Sequence, residues 1–300
     1  MFNGAKVVGR AIESVQAQTD PDWELLVVDD RSNDESRAVV RAYAASDSRI
    51  TLMETERNSG GPAHPRNIAL GHARGRVACF LDQDDVWLPH KLARQRAKFS
   101  SGDFAVVYSD AFVSGIEPTY RYGDRFGPMC EGLVLPELIA GDFIPMLTSA
   151  VRMDVVRAVG WLDERISGAD DYEYWLRIAL AGYRFGCVAE PLATWTTSPS
   201  SLSADRDHQA RQVMMCLGEK AAVGGDLGAA FAGRRAQHRH DLVLYHVERA
   251  RDHSLPLDDR MRSTLRSLQL LRQPGEARRI AGGVVRMLGL RRPVLRGATR

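Results

Sequence analysis

The sequence predicts an α/β protein in which helices flank a mostly parallel sheet, followed by a helical C-terminal extension. Short apolar segments alternate with segments of helical periodicity as far as residue 110, the pattern of a sheet built from strand–helix units. Two apolar segments end in aspartates, at 29–30 and at 82–85, and ligands bind at the carboxyl ends of strands in such sheets. After residue 204 the helical pattern continues to the end. We therefore predict two domains, residues 1–203 and 204–300.

The elements of the first domain follow from periodicity and turn signals. Val8, Ile12 and Val15 recur on one face of the first helix. Residues 25–28 form an apolar run typical of a buried strand, and Pro89 suits the first turn of a helix. The predicted helices lie at 5–18, 33–45, 63–73 and 89–99, and the predicted strands lie at 25–28, 50–53, 77–81 and 104–109.

Two later segments bear on function. Residues 115–132 are rich in glycine, proline and tyrosine, which predicts a long loop. Loops of this length inside compact domains are uncommon unless they serve a site or are disordered. Residues 170–181 return to helical spacing, with Tyr174, Ile178 and Ala181 on one face. This helix begins with two aspartates, a third acidic cluster.

Composition excludes several classes of protein. With 44% apolar and 26% charged residues, the chain is typical of soluble globular proteins, and its net charge of +2 predicts no strongly charged partner. The four cysteines are far apart and indicate neither a disulfide framework nor a metal-ligand pair, which favours a reducing cytoplasm. No apolar run reaches the roughly 20 residues that span a bilayer, and no signal-peptide pattern is present.

Six segments resemble, in order and spacing, the motifs of family 2 glycosyltransferases, which have the GT-A fold. The resemblance runs from residue 2 to residue 195. The six segments are 3–6 with 14–19, 23–36, 58–62 with Arg66-Asn67, Leu81 to Asp85, Trp87 to Leu92, and Asp170 to Arg177. It implies a mixed, mostly parallel sheet. It also implies transfer of a sugar from a nucleotide-diphosphate donor to an acceptor hydroxyl, with inversion at the anomeric carbon.

The segment around Asp84 resembles the aspartate-x-aspartate signature of this family. The resemblance implies that Asp84 holds a divalent ion, that Asp82 contacts the ribose or donor sugar, and that Asp85 shapes the site. Such an ion acts as a Lewis acid on the diphosphate, and hard oxygen ligands suit Mn²⁺ or Mg²⁺. The structural alternative is a solvated loop that caps the helix at Pro89.

The first acidic cluster and Arg66 are the remaining candidates for binding the nucleotide-sugar donor. The resemblance implies that Asp30 accepts a hydrogen bond from the nucleotide base and that Asp29 orients the following loop. Alternatively, Asp29 and Asp34 satisfy the amides of a turn and a helix start. We expect Arg66 to pair either with the diphosphate or with the acidic cluster itself, although a lone arginine on a helix is commonly a surface residue.

The third acidic cluster supplies the candidate general base. Asp171 lies six residues before Arg177, as in the family pattern, and the resemblance implies that it accepts the proton of the acceptor hydroxyl. Its neighbour Asp170 is a second candidate. The alternative is that either carboxylate only stabilises the start of the helix. We expect Trp161, Tyr172 and Trp175 to line the acceptor site or to belong to the core.

The family begins with an apolar strand before the segment that residues 2–4 resemble, and this sequence starts at Met1. That strand lies inside the family's sheet, so its absence would leave two neighbouring strands with unpaired backbone groups. Each such group costs on the order of 1–3 kcal/mol when buried. We therefore expect a start site further upstream in preference to the loss of a central strand.

The expected setting is bacterial cell-surface polysaccharide, glycolipid or cell-wall synthesis, with a saccharide or lipid-linked acceptor. The stretch from Glu276 to Arg300 holds seven arginines against one glutamate, interleaved with aliphatic residues. This basic tail predicts peripheral contact with the inner face of an anionic membrane. The alternative is a surface helix with a disordered basic end. Without stacking aromatics in the tail, nucleic acid binding is not expected.

Two other functions compete with sugar transfer to an acceptor. A sugar nucleotidyltransferase would use a similar nucleotide-binding sheet, but it would require a glycine-rich basic loop after the first strand. A non-catalytic binding or scaffold protein would be the outcome if the missing strand destroyed the site. Release of a nucleotide diphosphate from a donor would distinguish an enzyme from a scaffold.

Overall fold

The computed structural model describes residues 1–115, 118–127, 129–198, 204–252 and 254–271. Two compact units make up the chain, Met1–Gln212 and Val213–Arg300. The first unit contains all eight strands found in the described ranges. The second consists of helices there. The sequence-based boundary between residues 203 and 204 stays a prediction.

Helices and strands alternate through the first hundred residues, as the sequence predicted, except that the strands Val77–Cys79 and Val86–Trp87 follow each other without a helix between them. The strands are β1 (Leu25–Asp29), β2 (Ile50–Glu54), β3 (Val77–Cys79), β4 (Val86–Trp87), β5 (Val106–Ser114), β6 (Tyr120–Arg121), β7 (Ala150–Arg152) and β8 (Phe185–Thr196). The helices are α1 (Val8–Gln16), α2 (Ser36–Ser46), α3 (Ala63–His72), α4 (Lys91–Ser100), α5 (Tyr122–Phe126), α6 (Leu135–Ala140), α7 (Met153–Val159), α8 (Asp170–Leu180), α9 (Arg206–Ala221), α10 (Gly225–Arg251) and α11 (Leu257–Leu271). A short 3-10 helix covers Met146–Thr148.

The strands form a parallel pair, β1 with β2, and a six-stranded sheet with the order β3-β7-β5-β8-β4, in which β6 also pairs with β5. The α/β prediction is confirmed, and the pairing is mixed. The expectation of mostly parallel strands needs correction. Only β1–β2 and β5–β8 are parallel among the described pairs, and the other four are antiparallel. Regular strand–helix crossovers, which parallel pairing requires, stop after α4.

Strand β5 lies at the centre of the larger sheet, between β7 and β8. Val106, Val107 and Tyr108 are fully buried, and so are Ala111 and Val113. A strand covered on both faces requires such a nearly continuous apolar run, and this is why the sequence marked it clearly. The chain that follows the carboxyl end of β5 therefore starts from a strand that is packed on both faces.

The described part of residues 115–132 is more ordered than the sequence predicted. Their described part contains β6 and the short helix α5. Asp110, a buried residue of β5, accepts hydrogen bonds from Arg121 Nε at 2.9 Å and from the Gly123 amide at 2.9 Å. The segment is fixed by a carboxylate that lies outside it, so its own composition could not reveal the structure.

Strand β1 has one strand partner, β2, and strand β3 has one, β7, within the described part of the chain. The Met1 backbone extends the ladder of β1, because its amino group donates to the Val28 carbonyl at 2.5 Å and its carbonyl accepts from the Asp30 amide at 2.8 Å. The upstream start site stays a prediction.

In the second unit, α10 and α11 pack against each other. Phe231, Val243 and Val247 of α10 are buried. None of the helices in the described ranges is long and apolar enough to cross a membrane. The predicted basic tail, residues 278–300, lies outside the described residues.

Candidate active site

The two aspartates that end β1 are buried and bonded in different ways. Asp30, which is 5% exposed, accepts hydrogen bonds from the Ser59 amide and hydroxyl, at 3.0 and 2.8 Å, and from the Thr55 hydroxyl at 3.0 Å. Asp29 accepts from the Ser32 amide at 3.0 Å, and its Oδ2 lies 3.8 Å from Arg37 Nε. Its other oxygen, Oδ1, is buried without a hydrogen-bond partner in the described part of the chain. Asp30 therefore holds the loop at 58–62, whereas Asp29 keeps one acceptor open.

The second acidic cluster follows β3 in a tight turn, in which the Asp85 amide donates to the Asp82 carbonyl at 3.2 Å. Burial, together with the negative charge of Asp82, raises the pKa of the half-buried Asp84. Asp85 is 2% exposed and accepts from the Thr196 amide at 2.8 Å. Burial, with the charges of Asp82 and Asp84, raises the pKa of Asp85 to about 9. Both burial and the repulsion between neighbouring carboxylates therefore disfavour the charged forms of Asp84 and Asp85.

The donor atoms of this turn fit a metal ion that arrives with a substrate. No three His, Cys, Asp or Glu side chains of the described residues are arranged to hold an ion by themselves. At nucleotide sites Mg²⁺ is bound through one or two carboxylates, and substrate phosphates and waters complete its shell. Asp82 and Asp84 provide such oxygens. A cation between them would also relieve the repulsion that raises the pKa of Asp84.

Arg66 of α3 joins two of the acidic clusters. Its Nη2 lies 2.5 Å from Asp82 Oδ1, and its Nη1 lies 2.7 Å from Asp170 Oδ2 at the start of α8. Burial alone would lower the pKa of Arg66, but the two carboxylates outweigh it and the pKa rises. Of the two partners expected for Arg66, the structure shows the acidic cluster. The bridge places the segment after β3 and the start of α8 in one site.

Three carboxylates meet at the start of α8. Asp170 is 3% exposed and pairs with Arg66. Asp171 accepts a hydrogen bond from the Tyr172 amide at 2.8 Å. Burial raises the pKa of Asp171 well above its usual range, and the charges of Asp142 and Asp170 raise it further. A carboxyl with a raised pKa has the affinity for a proton that a general base near neutral pH requires.

Asp142, on the segment between α6 and the 3-10 helix, is a residue that the sequence analysis missed. Its Oδ1 accepts a hydrogen bond from the Ile144 amide at 3.1 Å. Burial raises the pKa of Asp142 to about 7, although backbone hydrogen bonds lower it. Burial raises the pKa of Tyr122 of α5, and the charges of Asp142 and Asp171 raise it further, so Tyr122 lies close enough to both carboxyl groups to sense their charge. The one signal available was an isolated aspartate after Gly141, which is common in ordinary turns.

The aromatic residues proposed for the acceptor site divide into core and surface. Trp175 and Tyr172 are buried, and their side chains donate to the carbonyls of Ile144 and Leu138, at 2.8 and 2.7 Å. Both therefore fix the segment that carries Asp142. Trp161 is 47% exposed. The structure thus places two of the three in the core and leaves one accessible.

Comparison with known proteins shows which family this chain resembles. The family model described as glycosyl transferase family 2 matches residues 1–145, which include the clusters after β1 and β3. Within this match, which is just under half of the 300 residues, the chain resembles glycosyl transferase family 2. The resemblance of the motifs is confirmed, and so is the enzyme class, since the similar proteins are glycosyltransferases.

Curated relatives agree with this assignment. The chain is 28% identical over 205 residues to the putative teichuronic acid biosynthesis glycosyltransferase TuaG of Bacillus subtilis, with 68% of this chain and 79% of that protein covered. It is 39% identical over 109 residues to the β-1,3-glucosyltransferase WfgD of Escherichia coli, with 36% and 42% covered. The chain thus spans less than half the length of WfgD.

Solved structures confirm the GT-A fold. Residues 1–349 of TarS from S. aureus superpose with a TM-score of 0.63 at 18% identity, covering 96% of this chain and 81% of that one. The mannosyltransferase PcManGT of Pyrobaculum calidifontis, solved with GDP-Man and Mn²⁺, gives a TM-score of 0.60 at 17% identity, covering 98% and 79%. At these identities the likeness concerns the fold alone.

Proposed function

We propose that this glycosyltransferase moves a sugar from a nucleotide-diphosphate donor to an acceptor hydroxyl in one inverting step at the site joined by Arg66. The observation that carries the proposal is the bridge from Arg66 to Asp82 and to Asp170. It brings the predicted donor segment and the predicted base segment together, although 88 residues of sequence separate Asp82 and Asp170 (170 − 82). A transfer reaction needs both segments at one place.

On the donor side, we propose that Asp84 holds Mn²⁺ or Mg²⁺ together with the diphosphate. When bound, the ion would supply Lewis-acid stabilisation of the leaving diphosphate. PcManGT, which shares the fold, was solved with Mn²⁺ and GDP-Man. In the site proposed for this chain, Arg66 orients Asp82. The side chain of Asp82 is 45% exposed and is therefore accessible to the ribose or donor sugar. The guanidinium also adds positive charge beside the diphosphate.

The nucleoside is proposed to bind at the end of β1. Asp30 already accepts three donors from the chain, which positions the loop at 58–62. A carboxylate offers about four acceptor positions, so Asp30 retains capacity for a base N–H. Asp29 has the open buried oxygen. We propose that Asp30 accepts from the base and that Asp29 orients the adjoining turn.

Asp171 is proposed as the general base. It would take the proton of the acceptor hydroxyl while the hydroxyl oxygen forms its bond to the anomeric carbon and the bond from that carbon to the diphosphate oxygen breaks. Attack from the face opposite the leaving group inverts the anomeric configuration. Asp170 cannot serve as readily, because its carboxylate is held by Arg66 at 2.7 Å. Asp142 tunes Asp171 through its negative charge.

The relatives suggest the acceptor and the setting. TuaG is named for teichuronic acid biosynthesis and WfgD for transfer to a GlcNAc-diphosphoundecaprenol, a lipid-linked saccharide. TarS was solved with UDP and with UDP-GlcNAc. We propose that this chain acts in the cytoplasm on a saccharide or lipid-linked acceptor of a cell-surface glycan, at the inner face of the membrane.

The proposal is tested by incubating the full chain with UDP- and GDP-sugars and Mn²⁺, with and without a chelator. We expect release of a nucleotide diphosphate from one donor, and its loss when the metal is chelated. The anomeric configuration of the transferred sugar, determined by NMR with a saccharide acceptor, should be opposite to that of the donor. Donor turnover that requires added pyrophosphate and yields a nucleoside triphosphate with a sugar 1-phosphate would instead identify a nucleotidyltransferase. No turnover of any donor would favour the scaffold alternative.

A further inference from the structure

Helix α11 exposes an apolar stripe. Leu257, Met261 and Leu265 are spaced four residues apart, so their side chains lie on one face of the helix. They are 66%, 56% and 59% exposed. Single exposed apolar residues are normal on protein surfaces, but three in register on one helix face form a contiguous patch.

The opposite side of α11 carries two buried serines beside the partly buried Leu270. Ser263 is 4% exposed and Ser267 is fully buried, on the helix that packs against α10. The burial of Ser267 costs little, since its hydroxyl donates to the Thr264 carbonyl at 2.8 Å. Arg260 Nε also donates to the Ala250 carbonyl of α10 at 3.0 Å. These contacts fix α11 with its apolar face outward.

Positive charge lies beside the apolar stripe. Arg262 and Arg266 are exposed and follow Met261 and Leu265 by one residue each, about 100° around the helix. The first turn also carries Asp258 and Asp259, and Asp259 Oδ1 lies 3.7 Å from Arg262 Nη2. The sequence after α11, residues 272–300, adds eight arginines and one glutamate. Together these residues give the end of the chain a strong positive excess, although the net charge of the whole chain is only +2.

We propose that the outward face of α11 binds an anionic lipid bilayer. Leu257, Met261 and Leu265 enter the boundary between headgroups and acyl chains, and Arg262 and Arg266 contact lipid phosphates. An amphipathic helix with arginines beside its apolar face has the chemistry for this location. Each arginine near an anionic surface adds attraction, and a positively charged second copy would be repelled. The proposal does not depend on the sugar-transfer reaction, so either can fail alone.

The test is co-sedimentation of the full chain with vesicles of phosphatidylcholine containing about one third phosphatidylglycerol. The test variant combines Leu257→Ser, Met261→Ser and Leu265→Ser. The matched control combines Leu133→Ser and Val223→Ser, which remove side chains that are 63% and 60% exposed elsewhere.

We expect the wild type and the control to bind these vesicles and the test variant to bind at least about tenfold more weakly. A second variant, Arg262→Gln with Arg266→Gln, should weaken binding and reduce its dependence on salt. Circular dichroism and thermal unfolding should match between all proteins, since every substituted side chain is exposed.

Three results would overturn the proposal. Wild-type protein that stays in the supernatant would exclude a lipid partner. Equal binding by the wild type and the serine variant would assign membrane contact to another part of the chain. A wild-type dimer in light scattering that the serine variant dissociates, without vesicle binding, would show that the face contacts a second copy.

Discussion

The carboxylates after β1 and those after β3 have similar sequence contexts but different surroundings. Asp30 is satisfied by donors from Thr55 and Ser59. Asp84 lies instead beside Asp82, and burial together with that negative charge raises its pKa. The first cluster is held in place by the protein itself, whereas the second carries charge that the chain leaves uncompensated. The carboxylates at a strand end can therefore be satisfied largely by donors of the chain, as Asp30 is, or repelled by a neighbouring carboxylate, as Asp84 is.

Asp171 resembles Asp84, because burial and neighbouring carboxylates raise its pKa. Its replacement should have the largest effect on sugar transfer. Asp171→Asn keeps the shape of the side chain and removes the proton acceptor. We expect the turnover number for sugar transfer to fall about a hundred- to ten-thousandfold, with donor affinity unchanged. Steady-state kinetics and calorimetric titration of the donor measure the two quantities. The control is Asp103→Asn, at a carboxylate that is 89% exposed. Equal losses in both variants would remove the assignment of the base.

Arg66 tests whether the second and third acidic clusters form one site. Arg66→Ala leaves Asp170, whose side chain is 4% exposed, without its cation. The free energy of unfolding should fall by about 3 kcal/mol in urea denaturation, because a buried carboxylate loses its partner. The surface pair of Arg74 with Glu24 is the comparison, since Arg74 is 82% exposed. Arg74→Ala should cost less than about 1 kcal/mol. Similar costs for both variants would contradict the bridge.

Asp30 and Asp84 compare the two clusters directly. Asp30→Ala leaves the Ser59 amide and the Thr55 hydroxyl without their acceptor, and we expect a loss of about 1–3 kcal/mol in the free energy of unfolding. Asp84→Ala removes a repelled carboxylate, so the metal-free protein should lose no stability. Urea denaturation without added metal measures both. A destabilised Asp84→Ala together with a neutral Asp30→Ala would reverse the comparison.

Asp142 gives a smaller effect that depends on pH. Its folded pKa of about 7 lies above the ordinary value of about 4, so the folded state binds more protons between these two pH values. The stability that this proton contributes is present at low pH and is lost as the pH rises through 7. In Asp142→Asn the fall in unfolding free energy between pH 4 and pH 7 should be smaller, as monitored by urea denaturation.

The same substitution should also shift the activity profile. Removing the charge of Asp142 lowers the pKa of Asp171, so the acidic limb of the turnover number should move to lower pH. Asp103→Asn is again the control. An unchanged limb would show that Asp142 does not tune the base.

The local part of the fold could be predicted from sequence, and its long-range part could not. Helix and strand periodicity located α1 to α4 and β1 to β3, and the motifs located Asp84 and Asp171 in acidic clusters. The antiparallel pairing of β7 depends on contacts between distant segments, which periodicity does not encode. Likewise, Asp142 enters the site through its spatial neighbours. The order within residues 115–132 follows from Asp110, a residue outside that segment.

The difference between the two clusters is tested most directly by titrating nucleotide diphosphates into the full chain in a calorimeter, with and without Mn²⁺. We predict that one diphosphate binds the wild type and the Asp103→Ala control in a manganese-dependent manner. Binding should be at least about tenfold weaker without the ion or in Asp84→Ala. Equally tight binding without manganese and in Asp84→Ala would show that the charge after β3 serves no cation, and would contradict the account.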